Sequence, residues 1–201
     1  MKDLHIISTG KQSTAEFVKK VKAVHAKIDF IHIRERNWTA KDHITVIKKL
    51  IAAGIDPKKI IINDRVDIAV TGRVGGVQLT SHSLDVRDVK KYFPSLQIGC
   101  SVHSVEESLE KEEQGADYLI YGHIFETNSK IGLAPRGLKG LNKITSRVKI
   151  PVIAIGGITP NNLSTVLQEG ASGVAVLSGI LLAEDCTIAA LKYREKLDEK
   201  R

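Results

Sequence analysis

Short runs of apolar, mostly β-branched residues alternate along this chain with longer stretches whose apolar positions recur every three or four residues. The runs are Leu4–Ile7, Phe30–Ile33, Ile60–Ile62, Gly76–Leu79, Gln97–Cys100, Tyr118–Tyr121, Val152–Ile155 and Gly173–Leu177. Their short length and nearly unbroken apolar character predict parallel strands buried on both faces. Between them, Ile44, Ile47, Leu50 and Ile51 make a helical stripe behind Thr39, and Ser104 with Glu107 has the spacing of a capping box. Thr159 and Pro160 predict a helix start with a first-turn proline, ahead of Leu163, Val166 and Leu167. Gly54, Gly115 and Gly170 stand where helices should stop before the next strand.

Eight strand signals with at least seven helices between them, and no linker or low-complexity segment, predict one α/β domain over residues 1–201, a single (β/α)8 TIM barrel. The alternative, a doubly wound open sheet, does not easily require eight strands in so short a chain. The longest irregular stretch, Gly122 to Gly137, is rich in Gly, Pro, Asn and Ser and has the length of a lid or binding loop.

Composition narrows the class. The apolar share of 42% and charged share of 26% are those of a globular protein. No apolar run approaches the ~18 residues of a membrane span. The opening MKDLHIISTG lacks a secretory pattern, so a cytoplasmic location away from membranes is expected. Cys100 and Cys186 are far apart and suit neither a disulfide framework nor a zinc knuckle. The net charge of +7 invites a nucleic-acid reading, but the lysines are scattered and aromatics are only 4%. The charge is read as solvated helix faces plus attraction for small anions, with no nucleic acid as partner.

In such a barrel the chemistry sits at the carboxyl ends of the strands. The residues there are Arg34, Arg36, Asn63, Asp64, Thr80 to Ser83, Ser101, His103, His123, Gly156, Gly157, Ser178 and Gly179. The paired segments PVIAIGGI and GVAVLSGI suit a phosphate cradle of backbone N–H groups, although the same glycines would also serve tight turns. His123 directly follows the strand DYLIYG, where an imidazole can take and return a proton; a structural histidine is equally consistent with that place. Arg34 and Arg36 would grip a carboxylate or phosphate by forked hydrogen bonds, or pair with Glu35. Asp64 would orient a substrate, bind a metal or cap the third helix. His5 and His32 are expected inside the barrel and His25 and His43 on the surface; His82 and His103 remain further site candidates. No His, Cys or carboxylate spacing marks a metal site.

The segments IHIRER, IINDRVDIA, GVQLTSHS, GCSVHS, YGHIFETNSK, VIAIGGITPNN and GASGVAVLSGI follow one another as in the thiamin phosphate synthases, which this chain resembles from about Ile31 to Ile180. The resemblance implies a barrel working in thiamin biosynthesis. Three positions depart from the synthase pattern. Arg36 stands where a lysine is usual, Ser83 where a magnesium-binding aspartate is usual, and His123 where a proline is usual. A lost metal ligand and a gained histidine resemble the thiazole tautomerase branch, which aromatises a carboxythiazole phosphate. On that resemblance the expectation is an isomerase without cofactor or metal, in which His123 carries the proton. Gly157, Leu177 and Ser178 hold the phosphate, and Lys130, Ser101 and Arg34 contact the substrate anions. The alternatives are a Mg-dependent synthase, a transferase, or a non-catalytic phosphate-ligand regulator. The partner expected is a small thiazole phosphate, and assembly into a homo-oligomer is left open.

Overall fold

The eight apolar runs become eight strands. The computed structural model describes residues 2–199. Its strands are β1 (Asp3–Ile7), β2 (Phe30–Ile33), β3 (Ile60–Asn63), β4 (Gly76–Leu79), β5 (Gln97–Val102), β6 (Tyr118–Gly122), β7 (Val152–Ile155) and β8 (Gly173–Val176). They pair in chain order, all parallel, and β8 returns to β1 with His5 opposite Ala175. The sheet is therefore a closed TIM barrel, which excludes the open doubly wound alternative.

The helices are α1 (Thr14–Val24), α2 (Ala40–Ala52), α3 (Val66–Gly72), α4 (Val86–Tyr92), α5 (Val105–Glu113), α6 (Gly137–Thr145), α7 (Leu163–Gln168), α8 (Ser178–Leu181) and α9 (Cys186–Asp198). Thr39 caps α2 as its sequence predicts, in a reciprocal box with Asp42. Ser104 accepts from the Glu107 N–H at 3.1 Å, but the Glu107 carboxylate reaches past it to the N–H of His103 at 2.7 Å. The box thus closes one residue early. Helix α7 begins at Leu163, not at Pro160: residues 160–162 form a turn in which Asn162 Oδ1 accepts from the Thr159 N–H at 2.8 Å. None of the helices among the described residues is long and apolar enough to cross a membrane.

Strand alternation divides the core in two. Leu4, Ile6, Ile31, Ile33, Ile60 and Ile62 face outward against helix residues such as Phe17, Val46, Ile47 and Leu50. The opposite faces fill the barrel, where Ile7, Tyr118, Ile120, Ile153 and Ala175 form a separate small cluster. This interior is not wholly aliphatic. His5, His32 and Gln78 are buried in it, with His5 Nδ1 and His32 Nε2 2.9 Å apart. His43, expected on the surface, is instead buried beside Trp38, with Nδ1 2.9 Å from the Thr39 carbonyl. A single turn of polar spacing in α2 conceals this, because the covering ring comes from the loop before the helix.

Candidate active site

At the carboxyl end of the barrel the chain after β6 does not leave the sheet at once. The Ile124 N–H donates to Ile155 O at 2.9 Å and the Phe125 N–H to Gly156 O at 3.0 Å, so this loop runs on beside the end of β7. Gly156 and Gly157 make that approach possible. Both have positive φ, +100° and +66°, and a Cβ on Gly156 would sit 2.2 Å from His123 Cβ. One on Gly157 would sit 2.5 Å from Glu126 O. The two glycines are thus required by loop packing as well as by turn geometry.

His123 is half-buried on this seam, and its Nε2–H donates to Leu133 O at 3.1 Å. The loop closes on itself where the Arg136 N–H donates to His123 O at 2.9 Å and the Gly137 N–H to Ile124 O at 3.2 Å. The Arg136 side chain adds two ties, Nε to Gly122 O at 3.1 Å and Nη1 to His103 O at 2.8 Å. These contacts shape a cleft of about 350 Å³ lined by His103, His123, Lys130, Arg136 and the backbone between them, with no carboxylate in its wall.

Other expected residues lie elsewhere around the mouth. Ser101, on β5, accepts from Gln78 Nε2 at 3.1 Å and opens to a neighbouring cleft of about 340 Å³ that also contains Thr80 and Ser83. Leu177 and Ser178 join β8 to α8; their N–H groups, like that of Gly157, make no hydrogen bond among the described residues. Arg34 is half-buried after β2 and makes no ion pair with Glu35, which accepts from the Gly10 N–H at 3.0 Å. Burial, then the neighbouring Arg36 charge, lower the Arg34 guanidinium below its ordinary value, while Glu35 opposes them. Arg34 is not among the residues that line the His123 cleft; its N–H donates to Ser8 Oγ at 2.8 Å.

The Asp64 reading changes. It has a left-handed backbone, φ 67°, and does not cap α3, whose preceding residue Arg65 offers no side-chain cap. Its Oδ1 instead accepts from Ser83 Oγ at 2.6 Å. Where the synthase resemblance implies an aspartate facing Asp64, the Ser83 hydroxyl donates to its carboxylate instead. Among the described residues no group of three His, Cys, Asp or Glu side chains is placed to hold a metal ion. A pyrophosphate-bridging magnesium fits this donor set poorly, because such ions want carboxylate oxygens beside those of the phosphates.

Two contributors escaped the sequence reading. Arg136 sits in an unpatterned loop and acts through backbone carbonyls, which leave no trace in residue identity. Gln78 did leave one: it is the polar position inside the apolar strand Gly76–Leu79.

A family model described as thiamine monophosphate synthase matches residues 4–180. The chain belongs to that family. Among members of the thiamine monophosphate synthase family, the thiamine-phosphate synthase of Pyrococcus horikoshii is 34% identical over 98% of this chain and 95% of its own length. That of Pyrococcus furiosus is 44% identical over 69% of this chain and 67% of its own. The solved structure of thiamine phosphate pyrophosphorylase from Pyrococcus furiosus superposes with a TM-score of 0.84 at 34% identity, covering 98% of this chain and 96% of that one. A 3-hexulose-6-phosphate synthase structure, at 16% identity and TM-score 0.76, shares the fold alone. These relatives overturn the tautomerase expectation. The members matched over nearly the full length are named synthases, so the isomerase reading drawn from Ser83 and His123 does not stand.

Proposed function

We propose that this member of the thiamine monophosphate synthase family is a transferase, joining a pyrimidinylmethyl pyrophosphate to a thiazole phosphate. The observation that carries the reading is the end-to-end likeness to a thiamine-phosphate synthase at 34% identity. The arrangement of the mouth is consistent with it. Both substrates are phosphate esters, and the mouth offers a basic cleft together with N–H groups at Gly157, Leu177 and Ser178 that make no hydrogen bond among the described residues. In the reaction the methylene–oxygen bond breaks and pyrophosphate leaves with its electron pair. The thiazole ring nitrogen supplies the pair for the new carbon–nitrogen bond.

No proton has to move in that exchange, so His123 acts as a hydrogen-bonding wall of the cleft and not as a base. What the chain must provide is charge stabilisation of the departing oxygens and alignment of the two rings. Lys130 and Arg136 serve the first; Ser101 and Arg34 help hold the substrates. No step is assigned to magnesium, since the residues after β3 and β4 do not suit it. The test supplies both substrates to the purified chain, with magnesium and separately with EDTA. Thiamine phosphate is the expected product, and its absence under both conditions overturns the reading.

A further inference from the structure

The pyrophosphate that leaves in the proposed reaction carries several negative charges, and in this chain the usual means of neutralising them is missing. Asp64, after β3, has one of its oxygens occupied by the Ser83 hydroxyl at 2.6 Å, and Asp85, in the loop after β4, is turned to capping α4 through the Arg87 N–H at 2.8 Å. In the neighbouring cleft the balance is reversed. The cleft after β5 and β6 is lined by Lys130, Arg136, His103 and His123 and by no carboxylate, the Glu107 carboxylate being engaged by the His103 N–H at 2.7 Å. Lys130 and Arg136 form no salt bridge among the described residues.

Arg136 is the best prepared of the four. A guanidinium has five N–H donors in a fixed plane. Two of them are spent on Gly122 O and His103 O, at 3.1 and 2.8 Å. Those two bonds fix the plane and leave the remaining donors for the cleft that the side chain lines. A donor fixed before the ligand arrives loses little freedom on binding, and charge-assisted bonds from arginine to phosphate oxygens are strong ones.

We infer that this chain neutralises the pyrophosphate with its own cations, chiefly Arg136 and Lys130, and binds it without a divalent ion. The inference rests on the transferase reading for the identity of the anion, but its test does not need turnover. Calorimetric titration of the full chain with inorganic pyrophosphate is run in excess EDTA and again in millimolar magnesium. The dissociation constants are expected to agree within about threefold. Arg136→Gln and Lys130→Gln should each weaken binding in EDTA by about tenfold or more, with the far-ultraviolet spectrum unchanged. Ser83→Asp, which restores a second carboxylate beside Asp64, should make affinity rise on adding magnesium. Binding that disappears in EDTA, or that is absent in both buffers, overturns the inference. Metal-free binding without joined product would remove the transferase reading alone; product with magnesium-requiring binding would remove only this inference.

Discussion

Gln78 shows how one interior residue acts at the mouth. Its amide N–H donates to Ser101 Oγ, leaving the Ser101 hydrogen for a ligand acceptor, while Gln78 Oε1 is buried without a partner among the described residues. Gln78→Leu removes a hydrogen bond and an unsatisfied acceptor together, and those effects oppose each other. Urea denaturation should therefore show a stability change of no more than about 1 kcal/mol. The Michaelis constant for the phosphate substrates should still rise by about threefold, as Ser101 loses its fixed orientation. A lone polar position in a buried strand was readable as unusual, but its partner one strand away was not. Arg136 was less readable still, since its ligands are the carbonyls of Gly122 and His103, and any residue type supplies a carbonyl.

Among the elements, the seam between the β6–α6 loop and the end of β7 holds the cleft in shape. Gly156→Ala would press a Cβ into His123 and force a non-glycine residue to φ +100°. Strain of this kind costs about 1–3 kcal/mol when the backbone cannot yield. Chemical denaturation should register a loss of that order, and pyrophosphate binding should weaken with it. Strand and helix positions were largely legible because burial on both faces writes an apolar run into the sequence; β2, β4 and β7 match their predicted limits. The start of α7 was misplaced since Thr159-Pro160 has the composition of a helix start, yet Asn162 binds back to the Thr159 N–H and delays it. The glycines after β7 were legible as special. Their packing reason, contact with the loop after β6, depends on a long-range approach that no local spacing encodes.

For the whole molecule, the polar filling of the barrel sets its response to acid. Burial, together with the His32 ring, pushes His5 well below its ordinary value of 6.5, and burial pushes His32 down to about 3. Both stay neutral in the fold, whereas the unfolded chain protonates them near 6.5. Stability from this pair is therefore fully present above about pH 6.5 and is lost as the pH falls from there toward 3. At pH 5 His32 alone should cost about 2 kcal/mol. Urea denaturation at pH 7.5 and pH 5 should record the loss, and His5→Phe combined with His32→Leu should flatten the dependence. The closed sheet was legible from eight regular runs; this lining was legible only as two histidines inside strands, without their mutual bond. The clasp at the base of the β6–α6 loop has a separate consequence. The chain enters and leaves that loop at one place, fastened by Arg136 to His123 and by Gly137 to Ile124. Residues 127 to 135, beyond the seam that Phe125 and Glu126 make with β7, therefore form an exchangeable cartridge: ligand preference can be rewritten there, by lengthening or exchange, while the staves of the barrel keep their alignment.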